Sequence, residues 1–409
     1  MLIKLDKSVL NGLETNNYKV IKKGLELIAI AVEEGKHFVI AEREVLIKII
    51  DSPRINEEAK YIYSQLLKKY SSIAAIVDYV TTYILVVDQK QAKVCTQSRD
   101  IQGKPIYQVS ISYFDKTEKI SRLNLVCENI EDCVFYERLA NKYIEEKAYG
   151  IGINIEKVPG GGSSTYQSYE NSLNEKKPSL VILDSDKKAY NDKLGSTANQ
   201  ALRVYSKYSK NHLTDLYVLE VREKENLIPP SIYSLCNKSK HYKQLDVLEA
   251  IYNNPDSNEE YKYLDIKDGI SYYELSKNKG IKVQLEKIIN NSINPDKKLL
   301  NKESHEFSEE EKKKKILDGL EVLTKHVHND VFNGEILKYI KKKESMLEDE
   351  SKLKTVQKER LIDELYKLRE NYKKSKSLLT LISNDPILLN DWEMISQKIL
   401  TWGCYYKIR

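Results

Sequence analysis

The sequence predicts an α/β protein with a Rossmann-like parallel sheet in the middle, an N-terminal α/β domain and a C-terminal helical region. Three apolar stretches that each run into carboxylates predict the central sheet: Leu123–Cys127, Leu180–Leu183 and Leu216–Leu219. Alternating helix and strand patterns predict the first domain, and helical patterns dominate the last. We place the domains at residues 1–119, 120–290 and 291–409.

Composition indicates a soluble protein of the reducing cytoplasm. Of 409 residues, 31% are charged and 41% are apolar, and the net charge of +5 permits a polyanionic partner without establishing one. The five cysteines show no C-x-x-C spacing, which argues against a disulfide framework and a zinc ribbon. Neither a signal peptide nor a membrane-spanning run is expected, so the predicted localisation is cytoplasmic, with no membrane partner.

The N-terminal domain carries acids after its predicted strands. Strands are expected at Leu2–Leu5, His37–Ala41, Thr82–Asp88 and Ile106–Tyr113. The acids that follow or flank them are Asp6, Glu42 or Glu44, Asp88 and Asp100. This pattern faintly resembles PIN-type nucleases, whose acids hold Mg²⁺. The plainer interpretation is that these are surface acids at strand ends, which are common.

After Pro230 the sequence predicts a mixed segment, and from about residue 308 it predicts helices to the end. A helix is predicted at Tyr242–Tyr252, and the capping-box pattern Ser308–Glu311 predicts that another helix begins there. Further helical patterns cover the ranges of about 313–328, 332–345, 350–383 and 389–402. The polar turn at 265–269 exposes Lys267, which either approaches a scissile phosphate or is simply solvated.

The acids of the central domain have the chemistry of a metal site. Asp184 and Asp186 form a D-x-D after one predicted strand, and Glu128 follows another. In an extended chain alternate residues point to the same side, so the two aspartates can share one ion. Carboxylate oxygens suit Mg²⁺ or Mn²⁺, which lower the pKa of bound water and neutralise charge on a phosphodiester.

These elements in this order resemble the TOPRIM (topoisomerase/primase) domain, in the branch found in OLD-family (overcoming lysogeny defect) nucleases and related phage-defence effectors. The first motif, typically E-G-x-x-D, reads Glu128–Asp132 here, with Asn129 in place of the glycine. Gly160–Gly162 matches the second, glycine-containing turn, and Asp184–Asp186 matches the D-x-D. Arg222–Leu227 resembles the R-E-I-E-N-Y-L element. The resemblance covers about residues 121–235.

The resemblance implies roles for particular residues. Glu128 is expected to act as general acid or base and as a metal ligand, and Asp184 and Asp186 are expected to hold Mg²⁺ or Mn²⁺. Further metal-site acids are expected at Asp132, Glu225 and, as the second choice, Glu223. We add Lys267 to the catalytic candidates, with Glu128, Asp184, Asp186 and Glu225.

The implied function is metal-dependent cleavage of nucleic acid, DNA or RNA with tRNA included, by a toxic effector of anti-phage abortive infection. The sequence has no G-x-x-x-x-G-K-[ST] motif, so the chain either works without nucleotide or takes its ATPase from a separate protein. A regulatory partner or a homo-oligomer is expected by analogy. Two alternatives stay open: a non-catalytic sensor or interaction subunit on a TOPRIM scaffold, and a nuclease centred on the PIN-like acids.

Overall fold

A computed structural model gives the structure of the protein. It describes residues 1–406 apart from nine internal segments, which are 16–17, 89–94, 148–149, 256–257, 278–294, 322–323, 325–334, 349–354 and 377–384. The chain forms two compact units: Met1–Leu183 with Ser196–Val218 and Glu393–Arg409, and Asp184–Gly195 with Leu219–Trp392. None of the helices within the described ranges combines the length and apolar character needed to cross a membrane.

The first unit begins with a five-stranded sheet of order β2-β1-β3-β5-β4. Its strands are β1 (Leu2–Leu5), β2 (Phe38–Ala41), β3 (Tyr83–Val87), β4 (Cys95–Arg99) and β5 (Pro105–Ser110). All neighbours pair in parallel except β4 and β5. The helices of this part are α1 (Ser8–Glu14), α2 (Tyr18–Glu33), α3 (Arg43–Asp51), α4 (Glu57–Lys68) and α5 (Tyr70–Ile73). The predicted N-terminal α/β pattern is therefore confirmed.

The second sheet of this unit contains four parallel strands in the order β10-β9-β6-β8. They are β6 (Leu123–Cys127), β8 (Ile155–Pro159), β9 (Ser179–Leu183) and β10 (Thr214–Val218). The short β7 (Ile151–Ile153) pairs instead with β13 (Cys404–Tyr406). The connecting helices are α6 (Ile130–Lys147), α7 (Thr165–Asn174) and α8 (Ser196–Tyr208). A parallel sheet at the predicted strands is confirmed.

The apolar faces of α7 and α8 pack on this sheet. Its core joins Val126 of β6 and Val181 and Leu183 of β9 to residues of both helices, and all are buried: Tyr169, Leu173, Ala201 and Val204. Strands covered by helices on their faces read as continuous apolar runs, which explains the five consecutive buried residues of both β6 and β9. Burial of these side chains stabilises the sheet edge from which the acids of interest emerge.

The second unit is mostly helical. Its helices are α9 (Pro230–Tyr252), α10 (Tyr272–Lys277), α11 (Lys297–Leu300), α12 (Glu335–Glu348) and α13 (Thr355–Lys376). The last helix, α14 (Leu389–Gly403), begins in this unit, and its residues from Glu393 onward belong to the first. Helix α9 begins at Pro230, twelve residues before the predicted start, because proline is well tolerated in the first turn of a helix. A two-stranded antiparallel sheet joins β11 (Gly269–Ser271) to β12 (Lys315–Asp318).

Strand β12 corrects the prediction of a helix over 313–328. The capping box itself forms, since Ser308 N donates to Glu311 Oε2 at 2.9 Å and Glu311 N donates to Ser308 Oγ at 3.3 Å. It caps only a single 3-10 turn, Glu311–Lys313, after which Ile316 and Leu317 are buried in the hairpin with β11. Pairing across the hairpin therefore overrides the local helix signal.

Candidate functional site

The first predicted motif surrounds the end of β6 in the first unit. Glu128 directly follows β6 and is partly exposed. The turn at Gly160–Gly162 lies against the backbone carbonyl of Glu128. This carbonyl accepts hydrogen bonds from Gly161 N at 2.9 Å and from Gly162 N at 3.4 Å. Both glycines have left-handed backbones, with φ of 77° and 63°, which side-chain-bearing residues rarely adopt. The structure thus brings the first two elements of the predicted motif together.

Asp132 has a capping role in the same turn. It is buried, and its Oδ2 accepts a hydrogen bond from Asn129 N at 3.0 Å, just before α6 begins at Ile130. A carboxylate in the first turn of a helix that reaches back to this N–H is half of a capping box. The geometry therefore gives Asp132 a structural task beside the metal role that the resemblance implies.

Asn129 stands where the resembling family has glycine. Its backbone is not left-handed, because the only described non-glycine residues with positive φ are Lys176 and Asp186. A side chain at position 129 is exposed and causes no backbone strain of this kind. The turn at Asn129 therefore does not need the left-handed backbone that favours glycine.

The D-x-D segment and the Arg222–Leu227 element lie together in the second unit. Ser185 N and Asp186 N both donate to Arg222 O, at 3.0 and 3.1 Å, and Asp184 Oδ1 accepts from Lys224 N at 3.2 Å. The Ser185 hydroxyl donates to Val221 O at 2.6 Å. Two elements that are about 35 residues apart in the sequence are thus joined by their backbones.

The backbone at Asp186 differs from the expected extended conformation. Asp186 has a φ of 55°, which is left-handed and uncommon for a residue with a side chain. Gly195 contacts it so closely that a Cβ there would overlap Asp186 Oδ2. Partial burial raises the pKa of Asp186, and the charges of Arg222 and Lys188 act in the opposite direction. The aspartates are thus placed by a strained turn rather than by strand alternation.

Arg222 is the centre of a buried ionic cluster, which we call the Arg222 cluster. Its Nη2 lies 2.5 Å from Asp265 Oδ2, its Nη1 lies 3.1 Å from Glu274 Oε1, and its Nε lies 3.4 Å from Glu223 Oε1. Lys188 adds a second cation, with Nζ 3.2 Å from Glu274 Oε1. Sequence analysis missed Asp265, Glu274 and Lys188, because only the fold brings them to Arg222.

The acids of the Arg222–Leu227 element lie in unlike surroundings. Desolvation, followed by the negative charges of Glu225 and Asp265, raises the pKa of Glu223 to about 7, while Arg222 and Lys267 oppose this. Glu225 is buried, with 6% of its surface exposed. Lys267 is exposed in the turn that follows Asp265, where Asp268 N donates to Asp265 Oδ1 at 2.7 Å. Glu223 is thus the predicted acid whose protonation changes near neutral pH.

Asn226 fixes the shape of this element. Its Oδ1 accepts a hydrogen bond from Glu223 N at 3.1 Å, and its Nδ2 donates to Tyr261 O and Leu264 O at 2.8 and 2.9 Å. The side chain is fully buried, so each of these hydrogen bonds replaces one that the polar group would otherwise make to water. The asparagine of the R-E-x-E-N pattern is therefore a structural residue that holds the acids in place.

An acidic cavity of about 780 Å³ lies in the same unit, beside the loop that follows the D-x-D. Four carboxylates line it, with a single lysine, Lys277; the acids are Asp192, Glu259, Glu260 and Glu303. A cavity lined by one sign of charge concentrates counter-ions. Within the described ranges, however, no group of three or more His, Cys, Asp or Glu side chains is arranged to hold a metal ion.

The PIN-like acids of the first unit are only partly brought together. Asp6, Glu42 and Asp100 line one cavity, and Asp88 and Glu44 are not among its lining residues. The Asp100 carboxylate closes the β4–β5 hairpin by accepting from Gln102 N and Lys104 N, both at 2.9 Å. Glu44 forms an exposed pair with Lys48 at 2.8 Å. These contacts give Asp100 and Glu44 structural roles.

Comparisons with models of protein families, with curated proteins and with solved structures found no match for this chain.

Proposed function

We propose that the chain is a Mg²⁺- or Mn²⁺-dependent TOPRIM-type nuclease that cleaves nucleic acid phosphodiesters as the toxic effector of an anti-phage, abortive-infection system. The observation that carries the proposal is the joining of the D-x-D to the Arg222–Leu227 element by hydrogen bonds from Ser185 N, Asp186 N and Lys224 N. These two motif elements support the resemblance better together than either does alone, because a D-x-D by itself is common.

The residues fit a divalent cation in their chemistry. Asp184, Asp186, Glu223 and Glu225 offer only carboxylate oxygens, the ligands that Mg²⁺ and Mn²⁺ prefer. The pKa of Glu223 is raised in part by its negative neighbours, so a cation among them would relieve repulsion. When bound, such an ion would lower the pKa of an attacking water and neutralise charge on the phosphodiester.

The other roles in the proposed reaction fall to side chains of this protein. Glu128, which directly follows β6, would exchange the proton of the attacking water or of the leaving oxygen. Its assignment rests on the resemblance and on its place at the carboxyl end of a parallel strand, where such folds keep their chemistry. Asp184 and Asp186 would hold the ion, and Lys267 would offer a positive charge to the phosphate.

A cleavage assay tests the proposal. Purified full-length protein with Mn²⁺ or Mg²⁺ should cut DNA, RNA or tRNA, and the double variant Asp184→Ala with Asp186→Ala should lose at least about a hundredfold in rate. The matched control removes two exposed acids of α13, Glu359→Ala with Asp363→Ala, and should cut like the wild type. Metal-dependent cutting that survives in the Asp184/Asp186 variant would exclude this site.

Control of a toxic nuclease implies a partner, and we propose a separate ATPase or regulatory protein, or self-association. The sequence contains no phosphate-binding G-x-x-x-x-G-K-[ST] of its own. A pull-down from the native host with the Asp184→Ala variant should recover an ATPase. Recovery of other proteins without any ATPase would count against that part of the proposal.

The alternative of a non-catalytic subunit loses its main support at Asn129. It rested on the missing glycine, and the backbone there is not left-handed. The nuclease therefore stays the leading proposal.

A further inference from the structure

The five-stranded sheet of the first unit has a cavity of about 740 Å³ over one face. Its floor includes a cross-strand row of register partners, in which Lys4 of β1 pairs with Ile40 of β2 and with Leu85 of β3, and Leu85 pairs with Gln108 of β5. Because register partners in a parallel sheet point to the same face, these four side chains share the floor. The volume is that of a site for a small organic molecule.

Lys4 and Gln108 are unusual residues for such a floor. Parallel strands are normally covered on both faces and are mainly apolar and uncharged, as β6 and β9 are in this chain. Here a lysine occupies an interior strand of the sheet, flanked by β2 and β3, and a glutamine occupies β5. Two polar side chains two strands apart, about 10 Å, therefore face a space large enough for a ligand.

Lys4 carries a charge without a carboxylate partner among the described residues. Its Nζ lies 5.6 Å from the centre of the Tyr83 ring, a cation–π contact. Two of the acids that line the cavity accept hydrogen bonds from other donors: Asp6 Oδ1 accepts from Ser8 N at 2.8 Å, and Asp100 Oδ2 accepts from the Tyr83 hydroxyl at 3.1 Å. Glu42 and Asp78 are exposed at the rim.

Apolar and aromatic side chains line part of the cavity. Tyr83 and Ile106 continue the floor toward the amino ends of β3 and β5, and Tyr70 and Val77 line it from the segment that precedes β3. Three cations and four carboxylates line the whole cavity, so net charge does not select the ligand. The position of Lys4 selects an anion. Its positive charge lies in the floor of the cavity, where a bound ligand has displaced most of the water.

We propose that this cavity binds a small organic anion with a flat apolar body, a heteroaromatic phosphate or carboxylate. Lys4 and Gln108 would hold the anionic group, and Tyr83 and Ile106 would contact the body. This site is separate from the acids assigned to cleavage and does not depend on the proposed nuclease function. Such a ligand would make the protein responsive to the concentration of a small molecule in the cell.

Calorimetric titration of the full chain tests the proposal with two probes, adenosine monophosphate for the phosphate class and indole-3-acetate for the carboxylate class. At least one should bind with one-to-one stoichiometry and a Kd of about 1 mM or tighter. Lys4→Met should weaken that binding about tenfold or more, because a charged hydrogen-bond donor is lost. Lys23→Met, which changes an exposed lysine of α2, should leave it unchanged.

A second variant, Leu85→Trp, fills the cavity without removing charge and should also abolish binding, while circular dichroism reports the fold of each variant. The proposal is overturned if neither probe binds, or if the one that binds does so equally in Lys4→Met. Inorganic phosphate that binds as tightly as adenosine monophosphate would overturn the apolar half of the site. A concentration-dependent dimer that Leu85→Trp abolishes would instead assign the sheet face to a second copy of the chain.

Discussion

Arg222 shows most clearly how single residues determine the candidate site. Its backbone carbonyl holds Ser185 and Asp186, and its guanidinium lies among Asp265, Glu274 and Glu223. The side chain is 7% exposed, so the charges it balances cannot be screened well by water. Both motif elements therefore depend on Arg222, one through its backbone carbonyl and the other through its charge.

Replacement of Arg222 by alanine should destabilise the protein by about 3–5 kcal/mol, because it leaves the buried Asp265 and Glu274 without their main counter-ion. Urea unfolding measures the loss. Lys367→Ala is the control, since its pair with Asp363 is exposed to solvent and should contribute little to stability. Equal effects of the two substitutions would show that the Arg222 cluster does not hold the unit together.

The buried His37 predicts a dependence of stability on pH. Its Nε2 lies 3.0 Å from Ile120 O, and its side chain is fully buried. Desolvation lowers the pKa of His37 well below its ordinary value of 6.5. As the pH falls through about 6.5 the unfolded chain therefore binds more protons than the folded one, and stability should fall as the pH decreases.

Urea unfolding at pH 8, 7 and 6 measures this effect. Below pH 7 the raised pKa of Glu223 acts in the opposite sense, so the comparison is between variants at each pH. His37→Gln should change the slope of stability against pH, whereas His305→Gln, at an exposed position, should not. A slope that is the same in wild type and in His37→Gln would contradict the assignment.

Among the elements, those with strong apolar runs could be predicted from the sequence. Strands β6 and β9 are buried along their whole length, so each appears as a mainly apolar stretch that an acid follows. Strand β12 could not be predicted, because its local signal is a genuine capping box and only its pairing with β11 reveals the strand. The left-handed turn at Asp186 was equally hidden, since it depends on Gly195 nine residues later.

Leu183, the last residue of β9, should be one of the most sensitive positions of the sheet. It is 1% exposed in the core formed with α7 and α8. Leu183→Ala should cost about 2–5 kcal/mol of unfolding free energy, from lost burial and the cavity left behind. Val356→Ala, at a position 76% exposed on α13, should change it by less than about 0.5 kcal/mol in the same urea titration.

At the scale of the whole molecule, the predicted site residues belong to two compact units. Glu128 and Asp132 lie in the first, and the second contains Asp184, Asp186, Glu223, Glu225 and Lys267. Their order along the chain could be read from the sequence, and so could the strand ends that carry three of them. Only the fold identifies Arg222 and Lys188 as counter-ions and the buried Asn226 as a structural residue. Each of them acts on a residue that tertiary structure brings close.

Mn²⁺ binding tests the central claim most directly, since it needs neither an activating partner nor the correct nucleic acid. Calorimetric or spin-resonance titration of the full chain should show a site that Asp184→Ala with Asp186→Ala weakens by at least about tenfold. The exposed-acid control, Glu359→Ala with Asp363→Ala, should bind like the wild type. A wild-type protein that binds no Mn²⁺, or a double variant that binds it equally well, would contradict the assignment of these aspartates as metal ligands.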